Sequence, residues 1–447
     1  MSYREVLGVA QEIAVEYLEG LDQEPVNPRA SLEELRQRFG LPLPEEGMDA
    51  SQVVSELARQ AEGGILGSAG GRFFGWVIGG SVPAALGADW LTAAWDQAAV
   101  MYATGPAAAV VEEVCGVWLK DLLGLPGESS FALVTGCQMA HVTCMMAARH
   151  RLLANQGWDV EADGLFGAPK IRVFATDIHH GSIHRAVKMV GLGLKNLHSL
   201  PAEQLVDAVS GPAIVVLQAG DINRGVFDRF EELIPALKAR GAWVHIDGAF
   251  GLWAKASAQY RPLAAGLERA DSWATDGHKW LNVPYDCGYA FVRDAEAHRA
   301  SLSHRASYLT HASDVRDQLD WNPDWSRRAR GFATYAAIRE MGRSGIEAMI
   351  DRGCEVARLI VDGAGALPGV EVLSQAMLNQ GLLAVGDDAR TERVMELVNA
   401  SGEAFLTGTT YQGRRAIRVS VCNWQSNAQD AARCVAAIAL ALDGEAV

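Results

Sequence analysis

Between Phe131 and Arg293 the chain alternates short β-branched runs with helical stretches, and this constrains its fold more than any other feature. The runs are IRVFAT at 171, PAIVVLQ at 212, AWVHID at 242, DSWAT at 271 and GYAFVR at 288; stretches such as VTCMMAARHRLLANQ and FEELIPALKAR separate them. Strands alternating with helices of that size predict an α/β fold, a mostly parallel central sheet with helices on both faces. In such sheets ligands bind at the carboxyl ends of the strands. Residues 1–70 read as an N-terminal helical arm and linker, with a helical stripe over 2–19 and the short pattern SLEELRQRF in a Pro-rich acidic stretch. Residues 71–325 form the large α/β domain. Residues 326–447 read as a small C-terminal α+β domain: a long helical segment, then the strand candidates GVEVLS, GLLAVG and RAIRVSVC.

Charge and thiols narrow the function classes. With 39 Lys plus Arg against 54 Asp plus Glu, a net charge of −15, and no basic block, nucleic acid is excluded as the main partner. The longest apolar run near a terminus, Cys434–Leu442, is half of the roughly 18 residues a membrane span requires. The N-terminus lacks the basic region and apolar core of a signal peptide, so a cytoplasmic location is expected. Seven cysteines with no CxxC pair and eleven histidines with no HExxH imply reduced thiols and no structural metal.

Three segments follow predicted strands and end in chemically useful residues. In ALVTGCQMAHVTCMMAARH, a strand passes through Thr135, Gly136, Cys137 and Gln138 into a long helix, a turn whose backbone N–H groups suit an anion or simply connect two elements. In AWVHIDGAF, Asp247 closes an apolar strand, either as a cap or as a partner for a cationic ring nitrogen. In DSWATDGHKWLNVPYDCGYAFVR, Lys279 lies in an aromatic, low-charge neighbourhood, where desolvation would lower its pKa and make it an amine nucleophile; the alternative is an ordinary surface lysine. A Schiff-base lysine, an Asp at a pyridinium nitrogen and an anion-binding helix N-terminus are together what pyridoxal phosphate requires.

These residues belong to longer motifs: RFFGWVIGGSVPAALGADWL, TGPAAAVVEEVCGVWLKDLLGLP, TGCQMAHVTCMMAARH, TDIHHGSIHRA, HIDGAFGLWA and DGHKWLNVPYDCG. In that order, from about Phe73 to Trp424, the chain resembles the pyridoxal-phosphate-dependent group II amino acid decarboxylases, an aromatic-L-amino-acid decarboxylase-like family, in its bacterial branch. The resemblance implies a fold-type-I PLP-dependent enzyme with pyridoxal 5'-phosphate as cofactor. Lys279 would form the Schiff base, Asp247 would bond the ring nitrogen, Ala249 would pack beneath the ring and His180 would stack on it. The turn Thr135–Gln138 and His278 would hold the phosphate, and Asn223 would lie near the cofactor oxygen. It also implies a homodimer with the active site at the interface, the substrate pocket including Phe73, Phe74, Trp76 and Tyr102; Arg418 could meet the substrate carboxylate or make an ion pair.

The implied reaction is decarboxylation of an aromatic or apolar L-amino acid. Oxidative decarboxylation-deamination, transamination and another lyase reaction are alternatives on the same scaffold, and a cofactor-less scaffold is disfavoured by the presence of Lys279, Asp247 and His180. Three features depart from the family pattern. The phosphate turn, TGCQMAH, lacks the commoner glycine-rich form, so Cys137, Gln138, Met139 and His141 stand in less usual roles. Asp276 stands where asparagine is common near the phosphate, which is unfavourable for a carboxylate unless it points away. The loop that supplies a proton-donating tyrosine looks short, with Tyr308 its only tyrosine.

Overall fold

The computed structural model describes residues 2–304 and 315–444; Tyr308 lies outside the described residues. Seven strands form the central sheet: β1 (Ser130–Val134), β2 (Arg172–Thr176), β3 (Leu197–Leu200), β4 (Ala213–Gln218), β5 (Ala242–Asp247), β6 (Ser272–Asp276) and β7 (Gly288–Val292), in the order β1-β7-β6-β5-β4-β2-β3. Neighbours from β3 to β6 are parallel, and β7 runs antiparallel to both β6 and β1. The expected α/β architecture is therefore present. Strands β1, β4, β5, β6 and β7 are buried along their whole length, which is why they read as continuous apolar runs rather than alternating ones.

Topology decides where the site falls. Val134 at the end of β1 and Asp276 at the end of β6 both face Gly288 at the start of β7. Gln218 and Ala274 flank Asp247 at the end of β5. The turn after β1, the end of β5 and the loop after β6 thus share one edge of the sheet. Their approach is close: a Cβ on Gly288 would lie 2.4 Å from the Gly136 Cα, so only glycine lets these two backbones touch. Trp253 and Trp273 fill the core beside this edge, and the Trp253 indole donates to the Asp276 carbonyl at 3.1 Å, which fixes the end of β6.

The chain divides into two compact units, residues 79–355 with 376–380 and residues 1–78 with 356–375 and 381–447. The first holds the seven-stranded sheet. The second contains the helices Tyr3–Gly20, Leu32–Phe39 and Ala50–Ala61, and it carries most of a four-stranded sheet: β8 (Val370–Met377), β9 (Gln380–Val385), β10 (Thr407–Tyr411) and β11 (Arg414–Ser420). In the Leu32 helix, Ser31 Oγ accepts from the Glu34 N–H and Glu34 Oε2 accepts from the Ser31 N–H, a reciprocal cap legible in SLEE. The glycine-rich stretch 63–80 is irregular. No helix among the described residues is long and apolar enough to cross a membrane.

Candidate active site

Asp247 ends β5 fully buried. Its Oδ1 accepts from the Ala249 N–H at 3.2 Å, while Oδ2 has no hydrogen-bond partner among the described residues and lies 3.6 Å from His141 Nε2. Burial alone would raise its pKa, but His141, His180, the Ala249 N–H and Lys279 together hold it below the ordinary carboxylate value. The result is an ionised, dry carboxylate with one oxygen lacking a donor.

Lys279, three residues beyond β6, is paired through Nζ to Asp276 Oδ2 at 3.0 Å. This corrects the expectation of a lowered amine pKa. Burial does push it down, but the Asp276 carboxylate outweighs burial and, with Asp247, leaves Lys279 above the ordinary lysine value. Asp276 itself does not point away from the turn. Its Oδ1 accepts from the Cys137 N–H at 2.5 Å, the first residue of helix Cys137–Ala154, and lies 3.5 Å from His278 Nε2. A carboxylate is tolerable there because a helix N-terminus, a lysine and an imidazole surround it.

The other expected residues fall as follows. Gly136 is the N-cap of the Cys137 helix, in extended backbone, and a Cβ on it would meet His278 at 3.0 Å and Asp276 at 3.3 Å. Thr135 is half-buried beside it, and the buried amide nitrogen of Gln138 has no hydrogen-bond partner among the described residues. His278 Nδ1 accepts from the Cys287 N–H at 3.1 Å, which leaves the proton on Nε2, and its ring stacks on Tyr285 at 4.3 Å; burial holds its pKa down. His180 is exposed and caps helix Gly181–Met189, its Nδ1 accepting from the Ser182 N–H at 3.2 Å. Asn223 sits in the turn after β4, its N–H held by Asp221 Oδ1 at 2.9 Å.

The residues expected to line a substrate pocket are more dispersed. Phe73 and Phe74 are completely buried in the second unit, Phe73 stacked on Phe405 at 5.1 Å, and Trp76 is half-exposed. Tyr102 lies in the first unit, its N–H held by Asp317 at 2.9 Å. Arg418 is buried on β11 with an N–H toward Thr407 Oγ1 at 3.4 Å.

Two histidines gained no specific role from the sequence. His141 and His245 are fully buried behind Asp247, with His141 Nδ1 and His245 Nε2 2.9 Å apart. The signal was present as spacing: Cys137 and His141 share a helix face, and Trp243, His245 and Asp247 alternate along one face of β5.

Pyridoxal phosphate fits this donor set at two places. Asp247 Oδ2 and the Gln138 amide nitrogen are buried polar atoms lacking partners, which a protonated ring nitrogen and a phosphate oxygen would satisfy. The chain matches the pyridoxal-dependent decarboxylase conserved domain over residues 33–379. It is 24% identical to an aromatic-L-amino-acid decarboxylase of Bacillus atrophaeus over 94% of this chain and 91% of that one. It is 25% identical to a 4-hydroxyphenylacetaldehyde synthase of Rhodiola rosea over 89% of this chain and 86% of that one. A crystal structure of Oryza sativa TDC with PLP and tryptamine shares the fold with a TM-score of 0.92 at 22% identity, covering 99% of this chain and 98% of that one. Fold and site define a fold-type-I pyridoxal-phosphate enzyme. The chain belongs to the pyridoxal-dependent decarboxylase family, whose members are carboxy-lyases.

Proposed function

We propose that this enzyme decarboxylates an L-amino acid with an aromatic or apolar side chain, with Lys279 as the attachment point of the cofactor. The observation that carries the reading is the edge shared by Asp247, with its unpartnered Oδ2, and Lys279. The aromatic class is supported by a relative named as an aromatic-L-amino-acid decarboxylase.

When bound, pyridoxal phosphate supplies a conjugated sink for the electron pair released at the substrate Cα. Lys279 Nζ would hold the cofactor through its aldehyde carbon. Asp247 Oδ2 would accept from the ring nitrogen and keep it protonated, and Ala249 and His180 would contact the ring from either side. The Thr135–Gln138 turn and His278 would hold the phosphate, and Asn223 would interact with the ring oxygen. Asp276 favours the protonated form of Lys279 Nζ, so the free amine would hold a proton that it can give. Specificity for carboxylate loss over Cα–H loss would require the substrate carboxylate to be held perpendicular to the ring plane. We further propose a homodimer with the active site at its interface; the apolar residues Leu7, Tyr17, Val53 and Leu57, exposed on the N-terminal helices, support a buried role for that arm.

The test is a panel of L-amino acids assayed for carbon dioxide, with oxygen uptake and aldehyde measured in parallel. Carbon dioxide and the matching amine from aromatic substrates support the reading. Aldehyde with oxygen consumption favours the oxidative alternative, toward which the Rhodiola relative's name points. No carbon dioxide from any substrate refutes it. Borohydride reduction followed by peptide mapping should place the cofactor on Lys279.

A further inference from the structure

Behind Asp247 a line of buried polar groups runs away from the site through the sheet. His141 Nε2 lies 3.6 Å from Asp247 Oδ2, His141 Nδ1 lies 2.9 Å from His245 Nε2, and His245 Nδ1 lies 2.9 Å from Ser272 Oγ. Ser272 Oγ in turn receives the Trp243 indole N–H at 2.9 Å. All five side chains are 5% exposed or less.

Its direction follows from the chemistry of its far end. An indole nitrogen can only donate, so Ser272 Oγ accepts from Trp243 and is left with one proton to give. Given to His245 Nδ1, that proton makes Nδ1 an acceptor and places the His245 proton on Nε2. Nε2 then donates to His141 Nδ1, which puts the His141 proton on Nε2, facing the carboxylate oxygen that lacks a donor. Both imidazoles are neutral: burial lowers the pKa of His141, and burial with His141 beside it pushes that of His245 down to about 3. Each then carries one proton, and the His141 Nε2–H faces both Cys137 Sγ at 3.4 Å and Asp247 Oδ2 at 3.6 Å.

We propose that Trp243, Ser272, His245 and His141 form a buried positioning relay that fixes His141 as the Nε2–H tautomer and, through it, holds Asp247 ionised and oriented toward the cofactor's ring nitrogen. The proposal rests on Asp247 as the partner of that nitrogen and goes beyond it by naming what holds Asp247. Cys137 Sγ, His141 Nε2 and Asp247 Oδ2 also lie within 4.8 Å of one another, a spacing a divalent cation could use. The relay argues against that use, because it protonates the very nitrogen a metal would need bare. Four groups besides the relay act on His141: Asp247 from β5, Asp276 from β6, and Lys279 and His180 from the loops that follow β6 and β2; Cys137 lies one turn away on its own helix, with Sγ 3.4 Å from Nε2. The Cys137 thiol is kept neutral by burial and by the Asp276 and Asp247 carboxylates, so it adds no charge.

The test uses the cofactor-loaded enzyme and two readouts that need no turnover: the dissociation constant for pyridoxal phosphate and the pH midpoint of the bound cofactor's visible absorption band. Without the His141 N–H facing its Oδ2, Asp247 becomes more basic and draws the proton from the ring nitrogen. His141→Ala should therefore weaken cofactor binding about tenfold and move the midpoint to higher pH. His245→Ala and Ser272→Ala, which touch neither cofactor nor Asp247, should move it in the same direction by less. His141→Gln, whose amide nitrogen can stand where Nε2 stood, should restore it toward the parent value. Asp247→Ala serves as the reference. If Asp247→Ala moves the midpoint while His141→Ala and Ser272→Ala, melting cooperatively like the parent, leave it in place, the relay is overturned and Asp247 keeps its role. If Asp247→Ala also leaves it in place, the assignment of Asp247 and the relay fall together.

Discussion

Replacing Asp276 by asparagine separates the two jobs its carboxylate performs. Its Oδ2 lies 3.0 Å from Lys279 Nζ, and at an effective dielectric of about 20 two unit charges at that distance attract by about 5 kcal/mol. Cofactor attachment requires a neutral amine, and this attraction opposes its formation. Even if competing charges leave about 1.4 kcal/mol of the effect, the neutral fraction of Lys279 at a fixed pH rises about tenfold. The asparagine Oδ1 can still accept from the Cys137 N–H, and its amide adds a donor where the parent presents a second negative charge to an incoming phosphate. The assay is stopped-flow: cofactor-free protein is mixed with pyridoxal phosphate, and the growth of visible absorbance is followed from neutral to mildly alkaline pH. The expected result is attachment at least about tenfold faster than the parent near neutrality, with the rate levelling off at lower pH. Pyridoxal without its phosphate separates the effects, since the gain through the amine persists with it and the gain through the phosphate does not. A variant with the parent's rate and pH profile would refute the argument, because it would show that the ion pair does not control the amine.

Three further outcomes test the scaffold. Asp228 is buried, its Oδ2 accepting from the Gln218 N–H at 2.7 Å, and burial raises its pKa to about 6. With the folded value above the unfolded one, the group favours folding at acid pH and loses that contribution as pH rises through about 6; Asp228→Asn should stabilise the protein above that pH by up to about 3 kcal/mol, with the gap closing on acidification in denaturant titrations. Glu112 and Arg327 form a fully buried ion pair at 2.7 Å, and Arg327 also donates to the Ala99 and Leu133 carbonyls; Glu112→Ala strands the guanidinium and should cost about 3–5 kcal/mol in urea unfolding of the cofactor-free chain. Gly288→Ala places a Cβ 2.4 Å from the Gly136 Cα, so it should lower both cofactor content and melting temperature, and a variant that retains full cofactor would contradict the described backbone contact.

How much of this was legible in the chain depended on burial and on charge. The runs that became β2, β4, β5, β6 and β7 stood out because these strands are largely or wholly buried. β3, with the sequence LHSL, and β10, with TGTTY, went unread because each is a short edge strand with few apolar residues. Asp247 could be picked out because it closes an apolar run where parallel sheets place ligands, and Lys279 because it lies between two apolar runs. The sign of the lysine's shift could not, because it depends on which way Asp276 turns, and a side chain's direction at a strand end is a tertiary fact. His141 and His245 lie 104 positions apart, and nothing in either segment alone says that they meet.

The position of β7 carries a consequence for biosynthesis. It is the last of the seven strands to leave the ribosome, yet it lies between β1 and β6. Until Val292 has emerged, β1 has no neighbour in the sheet, and the turn at Gly136 has no fixed relation to Lys279. A nascent or truncated chain ending before β7 therefore has Lys279 but not the anchored turn. With Lys279 as the proposed attachment point, cofactor retention would report that β7 has taken its place between β1 and β6.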